Sequence, residues 1–421
     1  MTGELLLKTR SETAASLHWI DAELDALEHA GLLRHRQLRE GPQGAIVDRD
    51  GRQLINFGSN DYLGLAADPA LAAAAMRQAQ LDGWGAGASP LITGHSTAQR
   101  QLESRLAGLM QSQAALVFSS GYAANIGTIA ALAAAGDAIY SDQKNHASMI
   151  DGCRLCRADV HIYRHRDLGG LAQLLERGGD YRRRLIVTES VFSMDGDCAP
   201  LAQLVELARR HHAMLLVDEA HAIGVLGSRG AGLANALGVE NEIDVRVGTL
   251  SKALASAGGF VCGSKPLIEW LINRARSYVF STALPSPMCA AANAALEILA
   301  RADARREHLR QMATELRDRL EQQGWNVGGS ETHIIPLRIG PSEQACALSS
   351  ALLEAGLLVS AIRPPTVPAG EALLRIGVTS AHTPEMIEHL AGALAALRAS
   401  AAETRVNARA TGSRPCATEP A

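Results

Sequence analysis

The sequence predicts an α/β protein built on an open, mostly parallel sheet. Three observations predict it: short apolar runs recur from about residue 113, helical segments separate several of them, and many runs end in clustered polar residues. The runs are ALVFS (115–119), AIYSD (138–142), VHIYR (160–164), RLIVTES (184–190), AMLLVDE (213–219), VRVGTL (245–250) and GGFVC (258–262). Most lack period-two alternation, as strands covered on both faces do. Helical segments such as 121–134 and 200–212 lie between them, so the crossovers should be right-handed. Ligands of such sheets bind at the carboxyl ends of the strands.

The flanks read differently. Residues 11–40 form an amphipathic helical pattern with a basic end, stopped by Gly41-Pro42. After residue 300 come a long charged helix (303–323), IIPLRIG (334–340), a helix near 343–355, LLVSAIR (357–363), LLRIGVT (373–379) and a last helix (384–399). This order suggests a smaller α+β domain. The tail from about 403 is polar and irregular, a composition expected to be disordered. The expected division is an N-terminal helical segment (1–62), a large domain (63–297), a small C-terminal domain (298–402) and the tail (403–421). No internal repeat is evident.

Composition excludes several classes. A net charge of −4 and a pI near 6.4 leave no basic surface for nucleic acid or anionic membrane. No apolar run reaches the ~18 residues of a membrane span, and the first residues lack a signal-peptide layout, so the expected location is cytoplasmic. The cysteine count is 7, and an odd number of scattered thiols argues against a disulfide framework. Cys153-Arg-Leu-Cys156 has no second pair to complete a metal site, and no metal is expected.

The chemistry lies at the predicted strand ends. GTLSKALASAGGFV (248–261) places Lys252 among small and apolar residues. A lysine in such a pocket has its pKa lowered, and its neutral amine attacks carbonyls. The alternative is a surface lysine in a small-residue loop. LLVDEAHAIG (215–224) ends a strand in Asp218, Glu219 and His221. Asp218 could cap a helix, pair with an arginine, or hold a protonated ring nitrogen; His221 could be a core histidine or a catalytic one. VTESVFSMDGD (187–197) runs into Glu189, Ser193, Asp195 and Asp197, which would also suit a simple turn. FSSGYAAN (118–125) is a strand, a turn and a helix start, where backbone N–H groups can receive a phosphate. WGAGASPLITGHS (84–96) does not fit G-x-G-x-x-G, and no P-loop motif occurs. A lysine, a carboxylate and a phosphate cradle together suit a pyridoxal-type aldehyde cofactor.

With these residues the chain resembles the α-oxoamine synthases, pyridoxal-phosphate enzymes of the fold type I class. The likeness covers about residues 20–400. It is carried by NFGSNDYLGLA (56–66), SSGYAANIG (119–127), SDQKNHASMIDG (141–152), TESVFSMDGDCAPL (188–201), VDEAHAIGVLG (217–227), GTLSKALASAGGFV (248–261), YVFSTALPSP (278–287) and AIRPPTVPAG (361–370). The last segment favours the branch that condenses L-alanine with a pimeloyl thioester, on coenzyme A or acyl carrier protein, in biotin synthesis.

The resemblance implies pyridoxal 5′-phosphate as cofactor, held covalently by Lys252. It implies Asp218 at the ring nitrogen, His146 stacked on the ring, His221 at the phenolic oxygen and Ser193 nearby. Ser120, Gly121, Tyr122 and Thr249 would cradle the phosphate, with Ser281 and Thr282 reaching in from the second subunit of a homodimer. Arg375 would grip the amino-acid carboxylate. Asn60 and Glu189 match polar site positions, and Arg34 and Thr366 match substrate positions near the thioester entrance. The sequence departs from the family at Leu373, where many relatives carry arginine, at Ala222-Ile223, at Ala255 in place of a frequent glycine, and at Ala88-Ser89-Pro90. Sister enzymes such as glycine C-acetyltransferase, 5-aminolevulinate synthase or serine palmitoyltransferase share the lysine, aspartate and histidines. An aminotransferase or decarboxylase on the same fold would need no thioester, and a ligand-binding relative without activity would be expected to lack at least one of Lys252, Asp218, His146, His221 and Arg375, all of which are present.

Overall fold

The computed structural model describes residues 15–411. All seven predicted runs are strands: β3 (Ala114–Phe118), β4 (Ala138–Asp142), β5 (Asp159–Tyr163), β6 (Arg184–Glu189), β7 (Met214–Asp218), β8 (Val245–Thr249) and β9 (Gly259–Gly263), preceded by β1 (Ile46–Arg49) and β2 (Arg52–Asn56). The seven form one sheet in the order β3-β9-β8-β7-β6-β4-β5. Only β9 runs antiparallel to its neighbours. Apolar residues fill both faces: Leu215, Leu216 and Val217 in β7 are fully buried, which is why the pattern did not alternate.

The remaining strands are β10 (Ile334–Gly340), β11 (Leu357–Leu358), β12 (Ser360–Ile362) and β13 (Ala372–Gly377). β10, β13 and β12 form an antiparallel sheet. β11 instead pairs in parallel with β2, which is also paired with β1. So LLVSAIR is two short strands serving two sheets, not one.

Three expectations need correction. The N-terminal helix is Trp19–His29, because Gly31 turns the backbone left-handed at φ 63°; residues 11–14 lie outside the described residues. The segment to residue 62 is not only helical, since β1 and β2 form a hairpin. Its two-residue turn, Asp50-Gly51, has both φ values positive (51° and 71°), the conformation Asp-Gly favours. The last helix extends over Pro384–Thr411, past the point where disorder was expected; residues 412–421 lie outside the described residues. Among the described residues no helix is long and apolar enough to cross a membrane.

Candidate active site

The carboxyl ends of β3, β4, β6, β7 and β8 open on one side of the sheet, and the functional side chains leave from there. Asp218 closes β7 opposite Glu189 at the end of β6. Lys252 follows β8 in the tight connection to β9. His146 follows β4 and precedes the helix Ala147–Leu155.

A continuous hydrogen-bond chain starts at the lysine. Lys252 Nζ lies 2.9 Å from His221 Nε2, and His221 Nδ1 lies 2.7 Å from the Tyr62 hydroxyl. Tyr62 donates to Asn60 Oδ1 at 3.0 Å and accepts from Arg375 Nη2 at 3.3 Å. Arg375 Nε donates to the Ser193 carbonyl at 2.7 Å. With the lysine donating to Nε2, His221 carries its proton on Nδ1 and gives it to Tyr62, so every link has one donor and one acceptor. His221 stays neutral because burial, and then the Lys252 charge, lower its pKa well below the usual value. His333 packs edge-on against Tyr62 with ring centroids 4.0 Å apart, and burial pushes its pKa down to about 3.

Asp218 is fixed from two sides. Asn125 Nδ2 donates to one carboxylate oxygen at 2.7 Å, and the Ala220 amide donates to the other at 2.8 Å. Asn125 Nδ2 also reaches Ser148 Oγ at 2.9 Å, which bonds His146 Nδ1 at 2.8 Å. Burial lowers the pKa of His146 as well. Burial, opposed by Asp218 and Glu189, lowers that of Lys252 to about 8, so far more of the amine is neutral near physiological pH than for an ordinary lysine. Burial together with Asp218 raises Glu189 to about 8.

A candidate phosphate cradle sits at the start of the helix Gly121–Leu132. Ser120 caps it by accepting from the Ala123 amide at 3.0 Å, and the first-turn amides of Gly121 and Tyr122 have no intrahelical acceptor at the positive helix end. The glycines here are needed for close approach. A Cβ on Gly259 would meet Gly121 N at 2.4 Å, and one on Gly121 would meet Thr249 Oγ1 at 3.4 Å. Thr249 Oγ1 bonds Ser251 Oγ at 2.8 Å, which brings a further hydroxyl to the cradle. Ala255 sits in the lysine loop with φ 48°, a left-handed backbone that glycine adopts more readily.

A second group lies at the rim. Arg34 Nη2 donates to the Pro364 carbonyl at 3.1 Å, beside Thr366. Arg363 Nη1 and Nη2 hold the carbonyls of Gly31 and Leu33 at 2.6 and 2.8 Å. Residues 364–369 and Glu371 wall a cavity of ≈ 570 Å³ that also touches Asn145, Phe192, Met194 and Leu373. Ser281 N bonds Tyr278 O, and the adjacent Ala283 N bonds Ala88 O.

The arrangement thus assembles Lys252, Asp218, His146, His221, Ser193, Asn60 and Arg375, sets the cradle beside them and places Arg34 and Thr366 at the rim. Sequence reasoning missed Tyr62, Asn125 and Ser251 as members of the network. Tyr62 and Asn125 lie in quoted segments and Ser251 adjoins the lysine, but nothing in one sequence tells a linking side chain from a packing one. The residues fit pyridoxal phosphate: an amine of lowered pKa, a carboxylate with both oxygens fixed, and a helix start kept bare by glycine. Cys153 and Cys156 take no part; burial pushes the Cys153 thiol up to about 12, and Cys156 Sγ bonds the Cys153 carbonyl at 3.0 Å.

Residues 52–394 match the family described as aminotransferase class I and II. The 8-amino-7-oxononanoate synthase of Anaeromyxobacter dehalogenans strain 2CP-1 is 50% identical over 91% of this chain and 96% of the relative. That of Citrifermentans bemidjiense is 46% identical over 88% and 95%. The chain belongs to the 8-amino-7-oxononanoate synthase family, within the class I and II aminotransferase fold. Its members are pyridoxal-phosphate-dependent acyltransferases, as the sequence led us to expect. Among solved structures, serine palmitoyltransferase from S. paucimobilis, bound to a PLP–myriocin adduct, superposes with a TM-score of 0.86 at 33% identity, covering 92% of this chain and 98% of that one. The 8-amino-7-oxononanoate synthase of Francisella tularensis gives 0.72 at 28% identity, covering 82% and 98%.

Proposed function

We propose that this enzyme condenses L-alanine with a pimeloyl thioester, releasing carbon dioxide and the free thiol to give 8-amino-7-oxononanoate. The observation that carries the reading is the unbroken chain from Lys252 through His221 and Tyr62 to Arg375. It links a candidate proton acceptor to a candidate carboxylate grip. The high identity to 8-amino-7-oxononanoate synthases, and AIRPPTVPAG at the rim cavity, favour the pimeloyl donor over those of sister enzymes.

Bound pyridoxal phosphate supplies an electron sink for charge developing on the amino-acid α-carbon. Lys252 would hold it covalently, Asp218 would hold its ring nitrogen, and His146 and His221 would lie at the ring face and phenolic oxygen. Ser120, Gly121, Tyr122 and Thr249 would take its phosphate, with Ser281 and Thr282 of a second copy completing the cradle. Arg375 binds the alanine carboxylate through a planar guanidinium already steadied by Ser193 and Tyr62. Lys252 Nζ takes the α-proton, a task suited to an amine that titrates near 8. Neutral His221 accepts a hydrogen bond from the lysine and so aims it. Arg34 and Thr366 receive the thioester at the rim.

A cytoplasmic homodimer is part of this reading. Trp84, Ile92 and Phe280 are 66%, 77% and 72% exposed, and an apolar group of that kind suits an interface. Acyl carrier protein is an alternative carrier for the donor.

The test is a visible absorption spectrum of the purified holoenzyme, titrated with L-alanine, glycine and L-serine, followed by pimeloyl-CoA and mass spectrometry of the product. A band that shifts with alanine, with thiol release and 8-amino-7-oxononanoate after pimeloyl-CoA, is expected. A response confined to glycine or serine would overturn the assignment.

A further inference from the structure

The rim cavity holds two cations for which the reaction above has no use. Lys144 Nζ and Arg338 Nη2 lie 2.8 and 2.6 Å from the same oxygen of Asp195. Asp195 is nearly buried at 7%, whereas the cations keep 31% and 33% of their side chains open. One carboxylate therefore faces two positive groups, and an ammonium with three N–H donors and a guanidinium with five are not used up by it. Most of the surrounding wall is apolar, with Ile150, Phe192, Met194, Val367 and Leu373 lining the cavity. Glu371 is on the same rim but exposed, where water and salt screen its charge.

The position is informative as well. Arg338 stands directly across from Leu373, while Arg375 stands across from Pro336. Leu373 and Arg375 are two apart on β13, so they share a face at a spacing of roughly 7 Å along the strand. The cavity thus runs from the neighbourhood of the amino-acid grip, along apolar wall, to excess positive charge. That pattern fits an acyl chain with an acid at its far end.

We infer that Lys144 and Arg338 bind the free terminal carboxylate of the acyl donor, and so select ω-carboxyacyl thioesters over plain fatty acyl thioesters. The inference rests on the reading under Proposed function and deepens it. It applies equally to donors on coenzyme A or on acyl carrier protein, because it concerns the other end of the chain.

The experiment compares kcat/KM of the holoenzyme, at saturating L-alanine, for pimeloyl-CoA, its terminal methyl ester and heptanoyl-CoA. These share chain length and differ in the terminal charge. The native enzyme should favour pimeloyl-CoA by about 10- to 100-fold, the range of a hydrogen bond to a charged group. Arg338→Gln and Lys144→Gln should each bring the ratio toward one. Equal use of the three donors by the native enzyme would overturn the inference and leave the reaction assignment standing. So would variants that slow all three donors in proportion, since the cations would then only hold the Asp195 loop. If pimeloyl-CoA is not consumed while a different acyl-CoA is, the reaction assignment falls and the inference with it.

Discussion

The strand-end cluster and the rim are made in different ways. Most of the cluster is written locally: Lys252, Asp218, Glu189, His221 and His146 sit within a few residues of a strand terminus, and the parallel sheet brings those termini together, while Arg375 comes from the antiparallel sheet. The rim is written globally. Arg34 meets Pro364, Arg363 meets Gly31 and Leu33, and Arg338 meets Asp195 across more than a hundred residues of chain. The comparison teaches a division of labour. A buried sheet end can hold charges at fixed distances, which suits proton transfer. A surface assembled from distant loops can change its lining without disturbing that geometry, which suits the choice of acyl donor.

The sharpest test of the division is Lys252→Ala. Turnover should fall by at least about 10³-fold, because proton acceptor and covalent anchor go together, and the visible cofactor band should shift or disappear. Stability should behave oppositely. The folded pKa of Lys252, about 8, lies below the ordinary lysine value of 10.5. The folded protein therefore binds fewer protons between these limits, so the lysine's cost stands in full below about pH 8 and is relieved as pH rises toward 10.5. Removing it should leave the cofactor-free urea midpoint at pH 7 no lower than native. A large drop in that midpoint would mean that the cluster is structural glue rather than stored reactivity.

Legibility followed the same division. The strands of the central sheet, and Lys252, Asp218, His221, Glu189 and Ser193, were readable because continuous apolar runs and polar strand ends are local signals; His146, Asn60 and Arg375 were readable only through the family resemblance. The hairpin of β1 and β2 was readable in principle from Asp50-Gly51, which lies past the Gly41-Pro42 break that ends the helical pattern. The splitting of 357–363 between two sheets was not readable, since the partner of β11 is β2, some three hundred residues earlier. Tyr62 and Asn125 join the cluster through contacts made across the fold, at 2.7 Å with His221 and Asp218 respectively. Such links depend on tertiary placement, and no spacing along the chain encodes them.

The joint between the two regions is His165. Its Nδ1 lies 3.0 Å from Asp142 at the end of β4, and its Nε2 lies 2.9 Å from Asp197 in the loop that also carries Ser193. Burial disfavours its charge, but the bonds to the two carboxylates outweigh that and raise the pKa to about 9. A raised folded pKa makes the contribution complete below about 6.5 and lost as pH rises through 9. His165→Leu should therefore lower stability by about 3–5 kcal/mol near pH 6, as breaking a buried ion pair does. The deficit in urea midpoint should shrink by pH 10. A deficit that does not change with pH would show that packing against Phe192, with ring centroids 4.4 Å apart, holds the joint instead of charge.

The smallest expected effect isolates the rim. Arg363 binds two carbonyls of the N-terminal segment just ahead of Arg34. Arg363→Gln removes a charged donor pair from partly exposed surface, where each bond contributes modestly. The segment carrying Arg34 loses its tether, so KM for pimeloyl-CoA should rise about 3- to 10-fold. Alanine should still shift the visible band with its native dissociation constant, because the chain from Lys252 to Arg375 contains no rim residue. If alanine binding weakens in step with the acyl donor, the rim and the cluster move as one body, and donor selection cannot be altered without altering the chemistry. If the two separate as expected, loops drawn from opposite ends of the chain tune the substrate while the sheet keeps the reaction fixed.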